Sequence, residues 1–237
     1  MRIFKKKCKV VLPDSFISRL RSSVIGEGML TEGNIYLFDL ALKSIPTKGS
    51  VIEIGSYGGL STNLTTYLLQ KYGKLNPFFT CDAWLYEGYG DQTVIGSDFI
   101  DGRKDLTRKA YMAYIKQAFI NSTLFLSAKK LPHSIHSTSE EFFENWRSNK
   151  ITDDVFGRSC QLGGDICFAY IDGDHSLAAA GLDFENVCRH LVKGGYILLD
   201  DSADHLNFGS AQLMSRIKDN SAFEVVMKNP NYLLRKK

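Results

Sequence analysis

The segment SVIEIGSYGGLSTNLTTYLL, from Ser50 to Leu69, joins a short apolar strand to a glycine-containing turn and then to an amphipathic helix. Val51 to Ile54 has strand character, the turn runs from Gly55 to Gly59, and leucines follow at helical spacing. A strand, turn and helix in this order form the opening half of a βαβ unit. Such a turn presents backbone N–H groups at a helix N-terminus, where a polar ligand docks, and its glycines let the backbone approach that ligand. The alternative is a tight turn that binds nothing.

The spacing of the glycines argues against two common nucleotide-binding loops. A dinucleotide fingerprint that starts at Gly55 needs glycines at positions 57 and 60, which are Tyr57 and Leu60 in this chain. A loop that binds nucleoside triphosphates ends in G-K-[ST], whereas Gly59 is followed by Leu60 and Ser61. The remaining pattern, E-x-G-x-x-x-G, favours a nucleoside ligand without phosphates.

The segment EIGSYGGLS, from Glu53 to Ser61, resembles the first motif of class I S-adenosylmethionine-dependent methyltransferases, and in particular their O-methyltransferase branch. The resemblance implies an α/β, Rossmann-like fold with a seven-stranded, mostly parallel sheet that ends in a C-terminal antiparallel hairpin. The segments from Phe223 to Met227 and from Tyr232 to Leu234 are the predicted hairpin strands. S-adenosylmethionine is the implied cofactor. Its implied contacts in this motif are Glu53, Gly55, Ser56, Tyr57, Gly59 and Ser61.

Composition is typical of one soluble domain. The 237 residues are 44% hydrophobic and 23% charged, and the net charge of +3 is too small to indicate a nucleic-acid or membrane partner. No apolar run approaches the roughly 18 residues that a membrane span requires. The five cysteines are odd in number and show no C-x-x-C spacing, so we expect free thiols in a reducing, cytoplasmic setting. The basic start is interrupted by Pro13, which argues against a signal peptide.

The predicted nucleotide core spans residues 49–237, with one region before it and another inserted within it. Residues 1–48 form a helical extension, with one helix from Ser15 to Ser23 and another from Thr31 to Ser44, where Thr31 is the N-cap. The extension either covers the ligand or only packs on the core. An aromatic insertion at about 85–128 is too long for a simple connection, and we interpret it as a lid that binds the acceptor.

Asp82 ends the second predicted strand, which runs from Phe78 to Cys81. An acid at this position accepts hydrogen bonds from a ribose diol, and in the methyltransferase family it does so. The alternative is a turn aspartate before Trp84. After a weaker third strand, Ser137 and Thr138 match the family positions along the adenine. Thr138 or Ser139 then caps the next helix.

Acidic residues follow two further buried strands. The strand from Ile166 to Ile171 ends in Asp172-Gly173-Asp174-His175, and a helix from about Leu177 is predicted to end at Lys193-Gly194-Gly195. The next strand ends in Asp200-Asp201. If the strands are parallel neighbours, these carboxylates converge within about 5 Å at one sheet edge. They repel one another unless they share a proton or a cation, and oxygen ligands favour Mg²⁺ or Ca²⁺. The alternative is that these aspartates only end their strands with polar side chains and bind no ligand.

The segments IDGDHS and GGYILLDD resemble the macrocin-type O-methyltransferases of sugars and natural products, and catechol O-methyltransferase more distantly. The resemblance implies that Asp172, Asp200 and Asp201 hold Mg²⁺, that Asp172 also lies at the cofactor, and that Asp174 is the general base. His175 is the alternative base, or packs near the adenine.

These observations predict an S-adenosylmethionine-dependent O-methyltransferase, assisted by a divalent metal, whose acceptor is a hydroxyl of a sugar or small natural product. One alternative is methylation of nitrogen or nucleic acid, although the chain lacks an N/D-P-P-Y segment after the fourth strand of the core. The other is a nucleoside-binding protein without catalysis. A homo-oligomer is left open.

Overall fold

The computed structural model describes Lys9, Ile17 and residues 30–86, 98–100 and 105–237. Of the predicted helix at 15–23, only Ile17 is described, and it is helical. Most of the polar first half of the aromatic insertion, residues 87–97 and 101–104, also lies outside the described residues.

Six helices and nine strands are bounded within the described residues. The helices are α1 (Glu32–Ser44), α2 (Leu60–Lys71), α3 (Arg108–Leu126), α4 (Ser139–Arg147), α5 (Leu177–His190) and α6 (Gly209–Ile217). The strands are β1 (Ser50–Ile54), β2 (Phe78–Asp82), β3 (His133–His136), β4 (Ile151–Asp153), β5 (Ser159–Gln161), β6 (Ile166–Ile171), β7 (Leu191–Leu199), β8 (Phe223–Lys228) and β9 (Tyr232–Lys236).

Seven strands form one sheet in the order β3-β2-β1-β6-β7-β9-β8. The first five pair in parallel, and β9 is antiparallel to both β7 and β8. This arrangement confirms the predicted Rossmann-like sheet with its C-terminal hairpin. From β1 the chain adds β2 and β3 on one side of the sheet, and it later adds β6 and β7 on the other side, so the strand order switches between β1 and β6. Open α/β sheets bind ligands at such a switch point, beyond the carboxyl ends of the strands.

Helices cover both faces of the sheet, which explains why β1 and β6 are buried along their whole length. On one face, Ile52 and Ile54 of β1 share a core with apolar residues of α4, α5 and α6. On the other face, Val51 shares a core with apolar residues of α1 and α2. A smaller cluster joins Trp84 to α3 through Met112, Ile115 and Phe119.

The structure differs from the sequence prediction at three places. Helix α5 ends at His190 because Leu191 is buried, adopts an extended conformation and pairs with Ile166 of β6. The prediction that the segment from Lys193 to Gly195 closes this helix was therefore wrong, since that segment lies within β7. The polar insertion before β6 contains the antiparallel pair β4–β5, and α6 was not predicted.

The described cysteines, Cys81, Cys160, Cys167 and Cys188, are free thiols, as predicted. No helix in the described part of the chain is long and apolar enough to cross a membrane.

Candidate functional site

A cavity of about 670 Å³ opens at the carboxyl ends of β1, β2, β3 and β6. Of the residues predicted to form the site, those that line it are Gly55, Ser56, Tyr57, Ser61, Asp82, Ser137, Thr138, Asp172, Asp174 and His175. Its described lining does not include Glu53, Gly59, Asp200 or Asp201. The sheet therefore gathers most of the predicted residues around one space, and four lie behind or beside it.

A close contact within the protein requires a glycine at position 55. Its φ is 83°, in the left-handed region, and an added Cβ would lie 1.9 Å from the backbone oxygen of Asp172. The carboxyl ends of β1 and β6 therefore approach each other too closely for any side chain. Gly55 also lines the cavity, so its predicted contact with the ligand stays a prediction.

Helix α2 begins at Leu60, and its N-cap residue Gly59 has a φ of 92° and no side chain to cap the helix. The N–H groups of an uncapped first turn need a ligand or solvent as acceptor. Glu53 supports this turn from behind, because its buried carboxyl group accepts hydrogen bonds from the hydroxyls of Ser61 and Thr62. Burial raises the pKa of Glu53 to about 8, against the opposing effect of these hydroxyl bonds. The structure thus places Glu53 under the turn.

Asp82 ties the end of β2 to the glycine turn. Its Oδ2 accepts the backbone N–H groups of Ser56 and Tyr57, both at 2.8 Å, and its Oδ1 accepts the N–H of Trp84 at 2.5 Å. The Trp84 indole donates to the backbone oxygen of Tyr57 at 3.0 Å. Asp82 therefore bonds the turn before Trp84, as the alternative of a turn aspartate predicted, and it also lines the cavity. Trp84 was not predicted to support the turn.

Two residues that line the cavity carry a buried hydroxyl group without a hydrogen-bond partner among the described residues. Ser56 and Ser137 are 2% and 6% exposed, and neither Oγ has a hydrogen bond. An unpaired buried hydroxyl is costly, by about 1–3 kcal/mol. Thr138 has a structural role as well, since its hydroxyl caps α4 by accepting the N–H of Glu141 at 3.2 Å.

An aromatic wall made of Tyr57, Tyr86 and Tyr111 borders the same cavity. The hydroxyls of Tyr57 and Tyr111 are in hydrogen-bond contact, which joins the glycine turn to α3. Burial, followed by this contact, raises the pKa of Tyr57 above its ordinary value. The helical part of the predicted lid therefore lies against the glycine turn.

Asp200 lies close enough to Asp172 to raise the pKa of the Asp172 carboxyl group. Burial and then the charge of Asp200 raise the pKa of Asp172 well above its usual range, while the Tyr170 hydroxyl opposes this by donating to Asp172 Oδ2 at 3.0 Å. Burial and then Asp200 also raise the pKa of Asp201, and His175 lowers it. His175 Nε2 lies 3.9 Å from Asp172 Oδ1 and 3.8 Å from Asp201 Oδ2.

The predicted metal ligands do not form a finished metal cage. Among the described residues, no group of three or more His, Cys, Asp or Glu side chains is arranged to hold a metal ion. Asp200 is instead bonded by two buried asparagines, since Asn34 Nδ2 and Asn231 Nδ2 both donate to its Oδ1. Neither asparagine was predicted, because nothing in its own segment of sequence points to Asp200.

Asp174 is exposed at the edge of the cavity and has a defined orientation. Its Oδ1 accepts the backbone N–H of Ser176 at 2.7 Å, just before α5 begins. The neighbouring His175 ring packs 5.7 Å from the ring of Phe208. Both candidate bases thus lie beside the space in which a ligand would bind.

Comparison with known proteins agrees with this geometry. The family model described as a methyltransferase domain matches residues 52–202, whereas no curated protein sequence matches the chain. Among solved structures, the S-adenosylhomocysteine-bound methyltransferase PaMTH1 of Podospora anserina is 11% identical, with a TM-score of 0.59 over 95% of this chain and 89% of that one. The O-methyltransferase TomG of Streptomyces achromogenes, in complex with S-adenosylmethionine, is 10% identical, with a TM-score of 0.54 over 96% and 92%. The calicheamicin methyltransferase CalS11 is 16% identical, with a TM-score of 0.52 over 95% of each chain.

These solved structures share the fold, and the family match covers more than half of the chain. The chain therefore belongs to the methyltransferase-domain family, which confirms the S-adenosylmethionine-dependent methyltransferase that its motifs predict.

Proposed function

We propose that this protein transfers the methyl group of S-adenosylmethionine to a hydroxyl oxygen of a sugar or small natural product, with the help of a divalent cation. The observation that carries the proposal is a single cavity that joins the glycine turn to Asp172, Asp174 and His175. A nucleoside site and a proton acceptor in one cavity are what methyl transfer to a hydroxyl needs.

The residues on the turn side fit the cofactor. Ser56 and Ser137 line the cavity, and Asp82 supplies a carboxylate for a ribose diol. The uncapped first turn of α2 suits the negative charge of the amino-acid carboxylate, because the helix dipole is positive there. Ser137 and Thr138 would lie along the adenine.

The residues on the carboxylate side fit proton removal. The sulfonium already activates the methyl group, so the protein has to align the acceptor and take its proton. In the reaction the carbon–sulfur bond breaks with its electrons left on sulfur, a carbon–oxygen bond forms, and the hydroxyl proton passes to Asp174. The bond from the Ser176 N–H holds one Asp174 oxygen and fixes the orientation of the carboxylate.

Asp172, Asp200 and Asp201 would hold the cation. Their donor set is all oxygen, which suits Mg²⁺, and the neighbouring carboxyls of Asp172 and Asp200 repel one another unless they share a proton or a cation. When bound, a divalent cation lowers the pKa of a hydroxyl that it touches. The rival is a metal-free enzyme in which His175 is the base and the aspartates only cap strands.

The acceptor class rests on the cavity wall and on two structural neighbours. The three tyrosines at the cavity offer flat apolar faces with polar tips, which suit glycosides and polycyclic natural products. TomG is described as involved in tomaymycin synthesis and CalS11 as a calicheamicin methyltransferase, so both proteins act in natural-product chemistry. We propose a small molecule of this kind as the partner, rather than nucleic acid or a nitrogen acceptor.

Calorimetry and turnover on the same protein test the proposal. We expect S-adenosylmethionine to bind without added metal, and methylation of a panel of glycosides and phenolic natural products to require Mg²⁺. Asp201→Ala should lower activity and Mg²⁺ affinity while keeping cofactor affinity. Cofactor binding without turnover on any acceptor would indicate a binding protein. Activity that survives exhaustive EDTA treatment and is lost in His175→Ala would establish the metal-free rival.

A further inference from the structure

We propose that the second half of α3 and the residue that follows it position the glycine turn for S-adenosylmethionine. The positioning residues are Ser122 and Ser127, the second of which acts through Asn63. None of the three is among the described residues that line the cavity, so they act on the turn rather than on the cofactor itself. The inference rests on the cofactor binding in the function proposed above, and on neither its cation nor its acceptor.

Side chains from outside the turn bind three consecutive carbonyl groups of the turn. The bonds run from Trp84 Nε1 to the Tyr57 oxygen at 3.0 Å, from Ser122 Oγ to the Gly58 oxygen at 3.1 Å, and from Asn63 Nδ2 to the Gly59 oxygen at 2.7 Å. The carbonyl and the N–H of one trans peptide group point in opposite directions. The N–H groups of the residues that follow Tyr57 and Gly59 therefore point away from these side chains. Those residues are Gly58 and Leu60, and both line the cavity.

Asn63 connects the Gly59 oxygen to the end of α3. Asn63 lies in α2 and is fully buried, and Ser127, the C-cap residue of α3, is 1% exposed. The Ser127 hydroxyl donates to Asn63 Oδ1 at 2.6 Å, while Asn63 Nδ2 donates to the Gly59 oxygen. If the amide were turned over, its oxygen would face the Gly59 oxygen, so it has one favourable orientation. Removal of the Ser127 hydroxyl would leave Asn63 Oδ1 buried without this donor.

Helix α3 also packs directly on the N-cap residue of α2. Gly59 has a φ of 92°, and an added Cβ would lie 3.1 Å from Phe119 Cδ2 and 3.2 Å from Ser122 Oγ. The Ser122 hydroxyl lies 3.1 Å from the Phe119 oxygen as well as from the Gly58 oxygen, so two acceptors share its one proton. Among the described residues, the Ser127 hydroxyl donates to Asn63 alone. Ser127 is therefore the more decisive position to change.

This arrangement gives the aromatic insertion a second role. The sequence predicted a lid that binds the acceptor, and Tyr111 near the start of α3 lines the cavity. The end of the same helix reaches the first turn of α2 across 64 residues of the chain. Groups that are oriented before a ligand arrives lose less conformational freedom when it binds. Loss of one neutral hydrogen bond behind the turn should therefore weaken, by about 2–10-fold, the binding of a ligand that uses the N–H groups of the turn.

The part of S-adenosylmethionine that should respond is its amino-acid carboxylate. An anionic group suits the N–H groups at a helix N-terminus. 5′-Methylthioadenosine has the same nucleoside and a sulfur atom but lacks the amino acid. Comparison of the two ligands therefore separates an effect on the turn from a general loss of structure.

Calorimetry on the full chain with these two ligands tests the positioning role. Ser127→Ala should raise the Kd for S-adenosylmethionine about 2–10-fold and leave the Kd for 5′-methylthioadenosine unchanged. The matched control is Ser202→Ala. Ser202 is also 1% exposed, and its hydroxyl also donates at 2.6 Å, to the Leu199 oxygen at the end of β7. This control should lower the melting temperature without changing either Kd.

Each other outcome has a defined meaning. A folded Ser127→Ala protein that binds S-adenosylmethionine like the wild type would overturn the positioning role, as would an equal loss of affinity for both ligands or an equal loss in Ser202→Ala. If Ser127→Ala does not fold, Ser122→Ala decides by the same comparison. If the wild type does not bind S-adenosylmethionine, the proposed function fails at its cofactor, and the positioning role fails with it.

Discussion

The glycine turn and the carboxylate cluster border the same cavity, yet the contacts that hold them span very different distances along the chain. Glu53 bonds Ser61 over 8 residues, and Asp82 bonds Ser56 over 26 residues. In the carboxylate cluster, Asn34 bonds Asp200 across 166 residues of the chain. Asn34 also bonds Asn231, across 197 residues. The turn is therefore largely a product of one βαβ segment, whereas the cluster exists only once both ends of the domain have docked. Variants should separate the two halves.

Gly55→Val should have the largest effect, because Gly55 is where the two halves touch. Its side chain would meet the Asp172 backbone at 1.9 Å from the first added atom, so the ends of β1 and β6 must move apart. We expect loss of measurable S-adenosylmethionine binding and a large fall in melting temperature.

The matched control for this variant is Gly73→Ala. Gly73 also has a positive φ, of 61°, but its added Cβ would meet nothing within 4 Å. It should cost only the backbone strain of about 1–2 kcal/mol and keep cofactor affinity. Normal binding and stability in Gly55→Val would mean that the two strand ends are not in close contact.

Asp174→Asn should affect only the carboxylate half. Loss of a general base slows turnover by roughly 10²–10⁴-fold, and the amide keeps both the size of the side chain and the acceptor for the Ser176 N–H. Binding of S-adenosylmethionine and of Mg²⁺ should be retained in calorimetry. If turnover is unaffected in Asp174→Asn and collapses in His175→Ala, the base is His175.

Asp82→Ala should affect only the turn half. It removes a charged acceptor at the cavity, so S-adenosylmethionine affinity should fall by about 1–3 kcal/mol while Mg²⁺ affinity stays the same. The melting temperature should also fall, because the N–H groups of Ser56, Tyr57 and Trp84 lose their acceptor. A fall in melting temperature with full cofactor affinity would make Asp82 a turn residue alone.

Glu53→Gln should have the smallest effect and report on the support under the turn. The pKa of Glu53 is raised from 4.5 to about 8 in the folded protein, so the folded state retains a proton that the unfolded state releases. Its contribution to stability is therefore lost as pH rises from about 4.5 to about 8, at no more than about 1.4 kcal/mol per pH unit. Urea unfolding across this range should show a flatter pH dependence in Glu53→Gln. An unchanged slope would assign the pH dependence to other groups.

Local features were predictable because neighbouring residues alone determine them. The alternation of apolar strands, glycine turns and amphipathic helices predicted the parallel sheet, and Thr31 and Thr138 cap α1 and α4 as expected. The same logic failed at Gly194, where a local end-of-helix signal lost to the pairing of Leu191 with Ile166. It also gave no sign of Trp84 as a support for the turn, because that role depends on where β2 meets Tyr57.

The sequence by itself determined the sheet, the glycine turn and the family, because each depends on residue patterns within a few dozen positions. It also named the acidic residues that follow β6 and β7, since parallel strands bring their carboxyl ends to one edge. Only the tertiary structure decided which groups bond the acidic side chains. The Glu53 carboxyl group accepts the Ser61 hydroxyl beneath the turn, and the Asp200 carboxyl group accepts the side-chain amides of Asn34 and Asn231. The physical reason is that a buried carboxylate needs donors from whichever elements pack over it, and the packing of α1 against the β8–β9 turn has no signature in either segment alone.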